Sequence, residues 1–254
     1  MRAMLFSKRN AKEILRDPLS YVFTLGIPVI MLIIFQIINN CVSGEETYWF
    51  RLEYLAPGIT LFSFSFVMLY TTILVSTDKD KTFLSRLYTS PMKTKDFTIG
   101  YILPSLVICI GQAVVCYVAA IVISIITGAE ISYLGLLLTI PAYLPVMLMF
   151  VCFGIMFGSL FSIKSAPGMS SIVISALGFV SGIWMPVETM GSYENVCECL
   201  PFYPAIKICR GIVIGQDITD GKIPLYIGII AAYIVVVFVL SLICFHKKTR
   251  SDNK

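Results

Sequence analysis

Apolar residues run through this chain in long blocks rather than at alternating or helical spacing. Six blocks stand out, at 21–38, 56–76, 98–127, 133–162, 166–187 and 223–245. A bilayer core takes about 20 helical residues to cross, so each block predicts a membrane-spanning helix. Two stretches break the pattern with a helical period of their own. In residues 1–17, Arg2, Lys8, Arg9, Lys12 and Arg16 share one arc of a helical wheel. Ala3, Met4, Phe6, Ala11, Ile14 and Leu15 share the opposite arc, which predicts an amphipathic interfacial helix ending at Asp17-Pro18. Glu13 lies within pairing reach of both Arg9 and Arg16 on that helix.

The second stretch is the charged island 77–97 between spans two and three. Phe83, Leu84, Leu87 and Tyr88 recur at helical spacing. Asp78, Asp80, Lys81, Ser85 and Arg86 fall mostly on the other face, and Pro91 ends the helix. This helix either dips its apolar face into lipid headgroups or docks on a cytoplasmic partner.

Within the spans, Gly26 and Pro28 predict a kink in the first, and Tyr48, Trp49 and Phe50 form an aromatic belt after it. Thr60, Ser63, Ser65, Thr71 and Thr72 place hydroxyls along the second, where backbone bonding is the default use and substrate contact the alternative. Gly154 and Gly158, Ser171 and Ser175, and Gly178 and Gly182 are small residues four apart. They mark close helix contact, within one subunit or between two. Residues 186–222 are too polar for two spans. Pro201 and Pro204 interrupt an apolar, aromatic segment there, which predicts short re-entrant or surface helices before the last span.

Composition narrows the class. Of 254 residues, 57% are hydrophobic and 13% charged, and mean hydropathy is +0.88, as in a polytopic all-α membrane protein with little soluble domain. Six spans put both termini on one side. All 19 Lys and Arg lie on that side except Arg51, Lys207, Arg210 and Lys222, so the positive-inside rule places the termini, the island and the basic tail 248–254 in the cytoplasm. The net charge of +4 is thus a topology signal and not a nucleic-acid footprint. No cleavage site follows the first span, so 1–17 reads as retained.

The chemistry is largely one of exclusion. No ionisable residue lies inside a span as drawn, which speaks against a proton-coupled antiporter. The single histidine, His246, leaves neither an HExxH metal site nor a Ser/His/Asp triad, which speaks against an enzyme. Gly215 to Lys222 carries one residue too many between its glycines for a phosphate-binding loop, so ATP is not hydrolysed by this chain and no cofactor or metal is expected on it. Of the eight cysteines, Cys109, Cys116, Cys152 and Cys244 are expected to be buried hydrophobes. Cys41, Cys197, Cys199 and Cys209 lie toward the outer side, where a short loop disulfide among the last three is open.

The order of these features resembles the permease subunits of ABC transporters of the ABC-2 type. The resemblance rests on the basic N-terminal helix ending in Arg16-Asp17-Pro18, and on FLSRLYTSPMKTKDFTIG after span two. GIWMP followed by LPFYPAIKICRG before span six completes it. It implies that Phe83, Leu84, Arg86, Leu87, Tyr88 and Pro91 form a coupling helix for a separate ATPase. The helix bearing Arg9, Lys12, Glu13 and Arg16 would then be a connecting helix beside it, and Pro201, Pro204 and Arg210 would belong to an outer re-entrant segment. It further implies a dimer with a second permease copy or paralogue, two cytoplasmic ATPase subunits holding ATP and Mg, export across the cell membrane, and a pathway along spans one, two and five that Thr60, Ser63 and Thr71 would line. The competing readings are a passive channel or scaffold and an integral membrane enzyme.

Overall fold

The computed structural model describes residues 2–15, 22–41, 45–80 and 94–251, and the regular structure among them is helix, with no strand. Helix α1 is Arg2–Leu15. After a π-helical turn, Val22–Gly26, α2 runs Ile27–Cys41, and a 3-10 turn over Glu45–Phe50 leads to α3, Leu52–Asp80. Then come α4 (Thr94–Thr127), α5 (Tyr133–Leu160) and α6 (Ala166–Val180). A short 3-10 turn, Val187–Thr189, precedes α7 (Ser192–Glu198), α8 (Phe202–Ile214) and α9 (Ile223–Ser251).

Among the described residues, five segments are long and apolar enough to cross a membrane: Thr24–Cys41, Leu52–Asp80, Thr98–Thr127, Tyr133–Leu160 and Ile223–Cys244. The fifth block, 166–187, differs from expectation, because its helix stops after 15 residues at Val180. At about 1.5 Å per residue, that is some 22 Å of helix, short of a ~30 Å hydrocarbon core. The cause is local. Gly182 takes a left-handed backbone at φ +71°, and a Cβ on Gly178 would come within 2.7 Å of Trp184 Nε1, so the chain folds back under its own helix end.

Helix α3 is the centre of the bundle. Its apolar window is 78% buried, against 17% for α9 at the periphery. The Gly154 and Gly158 pair of α5 explains the closest approach: added Cβ atoms would meet Met68 O at 2.8 Å and Val75 Cβ at 2.6 Å on α3. That pair therefore packs within the subunit. Ser171 and Ser175 of α6 are exposed, with their hydroxyls turned to the carbonyls of Pro167 and Ser171, each at 2.9 Å. At the far end of the bundle Phe35 stacks on Phe50 and Trp184, with centroids at 5.7 and 4.9 Å, and Phe62 meets Trp184 edge-on. Phe50, expected in the headgroup belt, thus joins Phe35, Phe62 and Trp184 in clamping α2, α3 and the end of α6 together.

Candidate functional site

The amphipathic character of α1 is used against protein. Phe6, Ser7 and Asn10 are buried, whereas Met4 is 77% exposed, so of the apolar arc that periodicity selects Phe6 turns inward and Met4 does not, and the polar Ser7 and Asn10 join the inward face. The partner is the backbone of α4. Asn10 donates its carboxamide N–H to Gly100 O at 3.1 Å, and Phe6 sits so close to Gly100 that a Cβ there would lie 2.2 Å from its ring. Phe6 also meets Tyr101 edge-on at 5.1 Å.

A buried carboxylate closes this contact. Asp78 is 1% exposed and accepts both guanidinium arms of Arg9, at 3.0 and 3.1 Å, and the Tyr101 hydroxyl at 2.8 Å. Arg9 also pairs with Glu13 at 2.8 Å along α1. Sequence periodicity put Asp78 on the solvent face of the island. It is buried instead, because α3 continues four residues beyond the predicted span end at 76 and carries Asp78 inward. The next two residues bind a different pair of elements. Lys79 Nζ donates to the carbonyls of Ser159 and Phe161, at 3.1 and 2.8 Å, at the C-terminal end of α5 where a cation meets the helix dipole favourably. Asp80 accepts the Ile163 N–H at 3.3 Å, in the turn leading to α6. One turn of α3 therefore holds α1, α4, α5 and the approach to α6.

The rest of the predicted coupling residues, Phe83, Leu84, Arg86, Leu87, Tyr88 and Pro91, lie outside the described residues, as does Arg16. Lys12 is exposed on α1. What is described is the frame at both ends of the island: α3 up to Asp80 and α4 from Thr94.

At the opposite end, α7 and α8 form a cap. Arg210 is 4% exposed and donates to Tyr54 O at 3.1 Å and Gly182 O at 3.0 Å, with its guanidinium 5.5 Å from the Tyr54 ring centre. It ties the start of α3 to the turn after α6, and Pro201 and Pro204 shape the entry to the helix that carries it. Lys207 is buried too and pairs with Glu194 at 3.0 Å, a carboxylate that also accepts from Tyr203. These two cations read from sequence as outer-side charges are structural parts of the cap. The eight cysteines are free thiols here, with Cys197 and Cys209 buried and Cys199 exposed. Burial pushes the Cys197 thiol up, outweighing its hydrogen bond with Tyr193.

Glu198 fastens the cap to the start of α9. Lys222 donates at 2.8 and 3.0 Å and Tyr226 at 2.7 Å. Burial alone would raise the Glu198 carboxyl, but these donors outweigh it and hold it below its ordinary value, while the same contact raises Lys222. A depressed carboxylate stabilises the folded state above its unfolded value, ~4.3, and that contribution is lost as pH falls through the lower folded value. The thermal midpoint should therefore drop below about pH 4, and Glu198→Gln should flatten that drop while lowering the midpoint at neutral pH; a scan by tryptophan fluorescence measures both.

Thr60, Ser63 and Thr71 are fully buried in α3. Their hydroxyls donate to Ala56 O at 2.8 Å, Thr60 O at 2.6 Å and Ser105 Oγ at 3.1 Å. Gln112 of α4 escaped the sequence reading. It is buried at mid-span and donates to the carbonyls of Thr24 and Ser63, bridging three helices by the polar glue expected where lipid offers no water. Gln112 was visible as an isolated amide in an apolar run, whereas Asn10 among basic residues, Gly100 and Tyr101 carried no local signal.

The family model of the ABC-2 type transporter matches residues 2–214. The chain belongs to that family. No curated protein matches it. The matched segment begins with α1 and ends with the last residue of α8, so it includes both the α1 junction and the cap. Membership makes the chain a membrane permease component of an ABC transporter, a multi-pass protein whose family transports rather than catalyses and typically works with an ATPase partner.

Proposed function

We propose that this permease is the membrane half of an ATP-driven exporter in the cell membrane, with both termini and residues 77–97 facing the cytoplasm. Two permease subunits, alike or related, work with two cassette ATPases that bind ATP and Mg. The island docks on the ATPase through Phe83, Leu84, Leu87 and Tyr88, with Arg86 at the rim and Pro91 closing the helix. The connecting helix α1 lies beside that contact, with Lys12 and Arg16 on its basic face.

One observation supports this reading: the single helical turn Asp78, Lys79 and Asp80, at the start of the island, ties α1, the end of α5 and the turn to α6 together. A push on the island thus reaches four packed helices as one body, which a loop serving only to lie on lipid does not require. Substrate passes between subunits along α2, α3 and α6. Thr60, Ser63 and Thr71 line that path when α3 parts from α4, since the present packing covers them.

Leu84→Asp/Leu87→Asp puts two carboxylates where a partner groove expects methyl groups, a loss of ~1.5–3 kcal/mol per side chain before any charge penalty. Vesicles holding the permease and its ATPase should show ATP hydrolysis stimulated by wild type and returned to the isolated ATPase level by the double variant. Equal stimulation by both proteins would favour the channel or scaffold reading.

A further inference from the structure

Helix α2 is broken where it enters the bundle. The π-helical turn Val22–Gly26 precedes it, a Cβ on Gly26 would meet nothing within 4 Å, and Pro28 follows in its first turn. A wide turn, a glycine and a proline are each established causes of a helix kink. The break has a definite chemical cost. In an unbroken α-helix the N–H of residue 28 would bond the carbonyl of residue 24, and a proline has no N–H to give.

Gln112 brings a donor to that carbonyl from α4. Its carboxamide N–H groups donate to Thr24 O and, at 3.0 Å, to Ser63 O on α3. Gln112 is fully buried and Thr24 nearly so, and at membrane depth a neighbouring helix is what satisfies a backbone group that proline leaves over. The reverse orientation of the amide would set its oxygen against two carbonyls, so the two donor bonds fix the side chain. Its own oxygen is buried with no hydrogen-bond partner. An unsatisfied buried acceptor costs about as much as a hydrogen bond contributes, so this contact is poised rather than locked.

The rest of α2 is lightly held. The apolar window that begins at Thr24 is 22% buried, against 78% in α3. Its ring contacts lie toward the outer end, where Phe35 stacks on Phe50 and Trp184 without a directional bond.

We propose that α2 pivots at residues 24–28, and that Gln112 is the positioning residue that catches the pivot in its closed setting. When Gln112 releases Thr24 O, the outer part of α2 swings away from α3 and opens a way between them. This rests on the pathway proposed along α2, α3 and α6, and supplies its moving part.

Spin labels on Ile37→Cys, on the outer part of α2, and Leu134→Cys, at the start of α5, report the swing, since both positions are exposed. The full-length permease is measured in lipid nanodiscs, with the accessible Cys41, Cys199 and Cys244 replaced by alanine. Pulsed electron resonance should then show one dominant separation. Gln112→Leu should raise the ratio of displaced to closed molecules about 2- to 10-fold, the worth of one net hydrogen bond. Gln112→Met serves as a second, unbranched replacement should the leucine variant not purify as a single species. Pro28→Ala restores the missing N–H, so Gln112→Leu/Pro28→Ala should return the ratio to the wild-type value or below it. Gln112 acting only as packing would give no such reversal from another helix. A distribution unchanged in both Gln112 variants, or a displaced population that Pro28→Ala does not reverse, overturns the proposal. Pro28→Ala alone, which stiffens α2, should also slow the ATP hydrolysis that the permease stimulates in vesicles. Distances that behave as stated without that slowing would leave the hinge standing and remove α2 from the pathway.

Discussion

Arg9→Ala is expected to loosen α1 from the bundle and uncouple ATP hydrolysis from transport. The substitution leaves Asp78 charged, 1% exposed and supported by Tyr101 alone among the donors seen here to reach it from a side chain. Breaking a buried pair from one side costs more than the pair contributes, because the remaining charge stays out of water. Arg9 is itself 35% exposed, which reduces its share, so about 2–4 kcal/mol is a reasonable scale. Asp78→Asn should cost less, since the amide still accepts from Tyr101 and carries no charge. Arg9→Ala/Asp78→Ala should be less damaging than the sum of its parts, because the two residues share one contact. Hydrogen exchange along α1 reads the loosening, and ATP-driven transport in vesicles reads the uncoupling. If α1 only rests on lipid, all three variants should exchange like wild type.

A second large effect belongs to the opposite end. Arg210→Met should destabilise the cap by about 3–5 kcal/mol, because the carbonyls of Tyr54 and Gly182 lose a charged donor in a buried setting. Arg210→Lys should rescue little. The guanidinium reaches two carbonyls on different elements while lying against the Tyr54 ring, and a lysine has a point charge in place of that planar fork. Two readings follow the loss: a lower thermal midpoint, and faster alkylation of Cys209, which is buried beside Arg210 in wild type. An Arg210→Met protein with an unchanged midpoint and an unreactive Cys209 would show that the cap is held by its apolar contacts alone.

Both sites show which parts of the molecule the sequence made legible. Spans were readable because a bilayer imposes a length and a composition, so five of six blocks became helices of spanning length. The fifth, 166–187, ended early because Gly182 adopts a left-handed turn and Trp184 returns beneath Gly178, a tertiary arrangement that hydropathy does not encode. The helical period of 1–17 was readable as well, but its inward face was not. Hydrophobicity selects Met4, whereas the actual neighbour is a bare glycine backbone that accepts Asn10 and admits Phe6. Asp78 was misplaced for a related reason: a charged residue near a span end is solvated by default, and only its distant partners Arg9 and Tyr101, which no local pattern links to it, make burial tolerable. Lys207 and Arg210 likewise counted as outer charges until Glu194 and two backbone carbonyls appeared around them.

The central claim is that the island after α3 docks on a cassette ATPase, and a photo-crosslinking amino acid at position 84 tests it most directly. Leu84 is the residue that the helical spacing puts in the middle of the proposed docking face. Irradiation of the permease with its ATPase in membranes should give one adduct at the combined mass of the two chains, lost when Leu87→Asp is added. Adducts with lipid alone, at the same yield with and without the ATPase, would contradict the account and leave the island as a surface loop.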